Sequence, residues 1–335
     1  MTIAVPVDFP DSALEAEVLD DLARVEEALE RTAHPDDELL TEASRHSIAA
    51  GGKRFRALLV LLAARFGDPA DPRVIQAALA IELTHLATLF HDDVMDEALV
   101  RRGSSSANAR WGNSVAILTG DFLFARASLI LADLGPDAVR IQAQTFSRLV
   151  TGQMAETIGV RPGQDPLDFY LQVLKEKTGS LIATAGQFGA LFSGAPDWIA
   201  DRIAVACEQL GVAWQLSDDL IDIASGQAES GKTPGTDLRQ GVRTLPVLYA
   251  LRSAVQSEAD ARLRWLLTDA DADLADAALL AEALRLLRGH HAMKEARADV
   301  LNWALGARKE IMTLPDVPAR AAFLAMCDFV EKRTG

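Results

Sequence analysis

The stretch ELTHLATLFHDDVMD, residues 82–96, decides the fold. Leu83, Leu86 and Phe90 recur at three and four, the period of a helix with one apolar face. The run then ends in three acids, Asp92, Asp93 and Asp96. The pattern returns at WQLSDDLID, residues 214–222, which ends in Asp218, Asp219 and Asp222. On a helix, residues three and four apart share a face, so each triplet is predicted to present its carboxylates together. Like charges at that spacing weaken a helix. Building them twice, each time after an apolar run, points to chemistry rather than to a solvated face.

Working outward, the same spacing predicts helices over 14–29, 36–50, 55–66, 73–93, 114–132, 138–158, 166–191, 197–224 and 245–257. Breaks rich in Gly and Pro fall between them, most of them short. The longest is 225–241, a Gly- and Ser-rich loop of the kind that often carries function. Residues 268–289 read as a solvated acidic helix pair. No segment alternates apolar and polar residues with period two, so no substantial sheet is expected. The fold class is therefore all-α, and with no shift in composition along residues 1–335, one domain of bundled helices is expected.

The 335 residues carry a net charge of −15, which argues against a nucleic-acid coat and against attraction to anionic lipid headgroups. Two cysteines, 120 residues apart, make no disulfide framework, and a reducing compartment follows. The longest uninterrupted apolar run is Ala57–Ala64, well short of the ~20 residues of a membrane helix, so no membrane span is expected. The first residues show neither a basic start nor an apolar signal core. A cytoplasmic protein is the expectation.

Clustered carboxylates without Cys or His partners suit a hard cation such as Mg²⁺, which keeps waters and bridges to phosphate oxygens. Six carboxylates carry a charge that about three Mg²⁺ ions would balance. Bases follow the same logic. Lys53 and Arg56 lie three apart beside Gly51 and Gly52; Arg101 and Arg102 follow the first acidic triplet; Lys177 and Thr178 sit in a small-residue helix; Lys232 lies in the long loop. GKTPG at 231–235 lacks the spacing of a P-loop. Two acidic triplets and two groups of bases point to two diphosphate-like headgroups.

Taken together, GGKRFR (51–56), ELTHLATLFHDDVMDEALVRRG (82–103), GDFLFARA (120–127), KTGSL (177–181), WQLSDDLID (214–222) and GKTPGTDLRQGVRTLP (231–246) resemble the trans-isoprenyl (polyprenyl) diphosphate synthases, in family order and over residues 20 to 330. The resemblance implies an isoprenoid-synthase bundle with a central active-site cavity and a homodimer. It implies Mg²⁺-dependent head-to-tail joining of an allylic diphosphate to isopentenyl diphosphate. By the same resemblance Asp92, Asp96 and Asp218 are direct metal ligands, with Asp93, Asp219 and Asp222 ligating directly or through water. Arg101, Lys177 and Lys232 would hold the allylic diphosphate. Lys53, Arg56, His85 and Arg102 would hold isopentenyl diphosphate. Thr178 and Gln215 would line the reacting carbons, and Gln153 and Glu156 resemble a polar pair near the metals.

Product length is set, in this reading, by what lies below the first triplet. Ala87 and Thr88, one turn before Asp92, are small, and Thr84 lies a turn deeper, so the floor is open and an all-trans product of about C30 or longer is expected. A C20-type geranylgeranyl diphosphate synthase and a non-catalytic partner subunit of the same fold are the alternatives. One departure stands out. Where many members of the family read Gly-Lys-x-Thr-Leu-Pro, this chain has Val242 in place of the lysine, with Arg243 displaced by one.

Overall fold

The structure is a computed structural model that describes residues 9–32, 38–49, 54–101, 103–224 and 234–334. Its elements in chain order begin with α1 (Ser12–Thr32), α2 (Glu38–Ala49), α3 (Phe55–Ala63) and α4 (Pro72–Met95). A two-residue hairpin, β1 (Val100–Arg101) with β2 (Ser104–Ser105), is the only sheet among the described residues. Then come α5 (Ala107–Trp111), α6 (Asn113–Leu134), α7 (Pro136–Ile158), α8 (Pro166–Leu174), a π-helical turn (Lys175–Gly179), α9 (Ser180–Phe192) and α10 (Asp197–Ala224). The chain continues through α11 (Thr236–Arg239), α12 (Leu245–Arg252), α13 (Glu258–Thr268), α14 (Ala277–Gly289), α15 (Ala292–Ile311) and α16 (Pro318–Thr334). The all-α class expected from apolar spacing is the class observed.

The helices gather into two compact units. The first comprises residues 1–147, 180–207 and 310–325. Its centre is α4, which starts where Asp71 accepts from the Arg73 amide, with Pro72 in the first turn. Residues 77–84 are buried without interruption, so this stretch of the helix is enclosed on all sides and belongs in a core. It packs most extensively against α6, and also on α1, α3 and α9. Close approach needs small residues. A Cβ at Gly189 on α9 would sit 2.0 Å from the Val60 carbonyl oxygen on α3, so only glycine fits there.

One end of this core is closed by charge. Arg54, 4% exposed and with φ of 43°, precedes α3 and forks onto Glu26 at 2.7 and 2.8 Å. Glu82 stands 3.9 Å from the same guanidinium and accepts from the Ala57 amide at 2.9 Å. A buried charge persists only when it is paired and hydrogen-bonded in this way.

The second unit comprises residues 148–179, 208–309 and 326–335. Here α8 packs on α12, and α12, α13 and α14 pack on one another. Two expectations need correction. Helix α12 stops at Arg252 rather than Ser257, because its last carbonyls are diverted: Arg264 donates to Leu251 and Ser253, and the Ser253 hydroxyl donates to Tyr249. The acidic tail is not a helix pair. Asp269 and Asp273 accept from turn amides, Asp276 caps α14, and Leu280, Ala283, Leu284 and Leu287 bury its other face.

Helices α4 and α6 are long and apolar enough to cross a membrane by length and composition, although interrupted apolar runs concealed this in the sequence. The relevant window of α4 is 72% buried, as a core helix should be. That of α6 is 33% buried, with Ile117, Leu118 and Leu129 exposed.

Candidate active site

The first acidic triplet ends α4. Asp92 is half-buried, while Asp96 is exposed and caps the helix. Asp93 does not join them. One residue is a 100° step around a helix, and Asp93 faces inward, 4% exposed, where Arg101 reaches its Oδ1 with Nε at 2.7 Å and Nη2 at 2.5 Å. The hairpin that carries Arg101 is held in place by Ser106, whose hydroxyl donates to Ala98, and by Asn108, whose amide donates to the carbonyls of Asp93 and Ala98. Instead of three carboxylates on one face, the motif offers two, at i and i+4, with the middle acid neutralised from behind.

The second triplet repeats this division on α10. Asp219 is 5% exposed, between the Tyr170 hydroxyl and the Gln215 amide, which donates at 3.2 Å. Burial raises its carboxyl to about 7, against the lowering effect of the Tyr170 hydrogen bond. Tyr170 in turn is pushed well above its ordinary value, first by burial and then by Asp219. Asp218 faces the other way and accepts from Arg333 of α16. Asp222 accepts the amides of Thr236 and Asp237, both at 3.2 Å, and its carbonyl accepts from Gly235. It thus ties the start of α11 to α10.

Lys177 and Thr178 lie in the π-helical turn, a geometry frequent at functional sites. Arg148 of α7 fixes the turn, donating to Glu176 at 2.8 Å and to Glu208 at 2.6 Å. The Lys177 ammonium donates to Glu156 at 2.5 Å. Gly152 lets α7 approach: a Cβ there would meet the Lys177 nitrogen at 2.7 Å.

Arg56 is half-buried on α3 and His85 half-buried on α4, two helices that pack together. Lys53, Arg102 and Lys232 lie outside the described residues. Ala87, Thr88 and Thr84 are all buried. At Thr84 the Gln142 amide of α7 donates to the hydroxyl at 2.8 Å. Val242 and Arg243 are both exposed.

Sequence reasoning missed Tyr170, Arg148, Gln142 and Arg333. None carries a motif, and each meets its partner only through tertiary packing. Arg333 alone had a trace in the sequence, an aromatic one turn before it, as Asp218 has in Trp214.

Among the described residues no three Asp, Glu, His or Cys side chains form a metal cage. The oxygen pairs Asp92/Asp96 and Asp218/Asp222 still suit Mg²⁺, which takes one or two carboxylates and completes its shell with waters and phosphate oxygens.

A model described as polyprenyl synthetase matches residues 37–284. The nonaprenyl diphosphate synthase of Mycobacterium tuberculosis is 49% identical, covering 100% of this chain and 98% of that one. Among solved structures, a geranylgeranyl pyrophosphate synthase from Corynebacterium glutamicum superposes with a TM-score of 0.87 at 44% identity, covering 98% and 100%. A decaprenyl diphosphate synthase from Rhodobacter capsulatus superposes with a TM-score of 0.86 at 32% identity, covering 97% and 100%.

Proposed function

The chain belongs to the polyprenyl synthetase family, and from that premise we propose that it is a Mg²⁺-dependent prenyltransferase making long all-trans polyprenyl diphosphates from isopentenyl diphosphate and an allylic primer. One observation carries this reading: in both acidic motifs the middle aspartate is turned inward and bonded, which sets it apart from the acids at i and i+4. Two carboxylates per motif suit a Mg²⁺ ion shared with a diphosphate.

In this reading Asp92, Asp96, Asp218 and Asp222 hold Mg²⁺, while Asp93 and Asp219 act from behind. Bound Mg²⁺ supplies Lewis-acid stabilisation of the leaving diphosphate. Arg101, Lys177 and Lys232 hold the allylic diphosphate, and Lys53, Arg56, His85 and Arg102 hold isopentenyl diphosphate. As the allylic C–O bond breaks, these bases carry the developing charge on the departing diphosphate. Thr178 and Gln215 flank the reacting carbons. The double bond of isopentenyl diphosphate attacks the allylic cation, and the departing diphosphate takes the lost proton, so no protein base is assigned. Apolar helix walls keep water from capturing the cation.

A product of about C30 or longer rests on the small side chains of Ala87 and Thr88 and on likeness to nonaprenyl and decaprenyl synthases. The geranylgeranyl neighbour keeps a C20 product as the alternative, less favoured than the long-chain reading. We take residues 20–330 as one catalytic domain and the protein as cytoplasmic, a reading supported by two buried cysteines that form no disulfide. The exposed apolar side of α6 supports a homodimer.

The test is incubation of the purified chain with isopentenyl diphosphate, farnesyl diphosphate and Mg²⁺, followed by sizing of the products. Consumption of isopentenyl diphosphate into C30 or longer chains is expected, and its loss in Asp92→Ala and Asp218→Ala with helical circular dichroism intact. A C20 product selects the shorter alternative. Release of diphosphate without consumption of isopentenyl diphosphate defeats elongation, as does retained turnover in both variants.

A further inference from the structure

Trp214 precedes Asp218 by one turn on α10, and Phe329 precedes Arg333 by one turn on α16. The two rings stack with centroids 5.5 Å apart and planes 24° from parallel. The Arg333 guanidinium lies 4.7 Å from the Trp214 centroid and 5.5 Å from that of Phe329. From this aromatic shelf Nη2 donates to Oδ1 of Asp218, while Nη1 is buried without an acceptor.

Arg54 shows what a structural pair looks like in this chain. It is 2% exposed at the side chain, and its fork engages both oxygens of Glu26. Arg333 differs on each count. It makes a single-point contact, one nitrogen is left over, and its acceptor is 40% exposed. A half-exposed ion pair of that kind is weak. The guanidinium is also held by the faces of two rings, which attract a cation whether or not a carboxylate is present. Asp218 is therefore able to leave Arg333 without any helix having to move.

We propose that Arg333 is the resident counter-cation of Asp218: it positions the carboxylate while the metal ion is away and yields it when the metal arrives, so that it sets the metal affinity of the second motif. This rests on the reading of Asp218 as a metal ligand. A cation already on Oδ1 opposes a second one by charge, so metal binding must displace Arg333 or work against it. Arg333 is a positioning residue in this sense and touches no reacting atom.

The test is calorimetric titration of the full chain with Mg²⁺ in the presence of inorganic diphosphate, together with tryptophan emission. Arg333→Gln and Phe329→Leu are each expected to tighten Mg²⁺ binding five-fold or more, and Arg333→Lys to fall between Arg333→Gln and wild type. Emission should change on binding in wild type, and that change should be absent from Trp214→Phe. Phe329→Leu keeps every charge, so it decides the matter if Arg333→Gln fails to fold. Unchanged or weaker metal binding in both variants overturns the proposal and leaves Asp218 a ligand. Unchanged binding in Asp218→Asn removes that assignment, and the proposal with it.

Discussion

The Arg101 guanidinium reaches back eight residues to the buried Oδ1 of Asp93, with Nε at 2.7 Å. It leaves the acids on either side of that one, Asp92 and Asp96, to face outward. The pair is lopsided, since the Asp93 side chain is 5% exposed and that of Arg101 36%. Arg101→Gln strands a buried carboxylate and should cost about 1–2 kcal/mol after allowance for solvent screening of the arginine. Asp93→Asn made on top of it should cost less than it does alone. Urea unfolding of the four members of the cycle measures the coupling, and additive losses would show that the two do not act as a unit.

Gly152→Ala should disable the π-helical turn. The added Cβ meets the Lys177 backbone nitrogen at 2.7 Å and the Glu176 Cβ at 2.9 Å, neither of which is the end of a flexible chain. A loss of about 1–3 kcal/mol is expected from the overpacking, with kcat/KM for the allylic substrate down at least tenfold as Lys177 is displaced. Gly289→Ala, with nothing within 4 Å, serves as the control and should leave both unchanged.

Arg54→Ala should be among the most damaging substitutions away from the acidic motifs. It leaves Glu82, 3% exposed at the side chain, without its counter-charge, and the expected cost is about 3–5 kcal/mol in guanidinium unfolding. Arg31, whose partner Glu27 is as exposed as itself, should tolerate alanine with no measurable change.

The two thiols should be silent in the native protein. Burial pushes the Cys327 thiol up to about 12, so it stays protonated near neutral pH and reacts slowly with alkylating reagents until the chain unfolds. The folded state then holds this proton more tightly than the unfolded state. Its contribution to stability is complete below about pH 8.5, the ordinary thiol value, and is lost as pH rises toward 12. Melting curves at pH 8 and pH 10.5 should show a smaller alkaline loss in Cys327→Ala than in wild type.

The parts of the fold that were legible in the sequence are those whose core stripe is made of large side chains. Helix α10 runs from Asp197 to Ala224, the span its apolar spacing predicts. Helix α15 escaped notice because much of its buried stripe, Ala296, Ala304 and Ala307, is alanine, which marks no face by itself. At the site, the acids and bases were legible as residue types in order. Their division of labour was not, because it depends on partners such as Tyr170, 49 residues from Asp219, and Arg333, 115 from Asp218. Helical spacing groups Asp92, Asp93 and Asp96 together, and only packing around Asp93 separates the middle one.

In the homodimer proposed above, the exposed apolar side of α6 would add a mass-action term to everything measured on this chain. Whatever covers Leu118 and Leu129 removes oily surface from water only when the covered form is populated, and that population follows protein concentration. A melting temperature taken at nanomolar dilution and one taken at tens of micromolar then refer to different equilibria. For such a dimer, variants of this enzyme are ranked for stability at one fixed concentration.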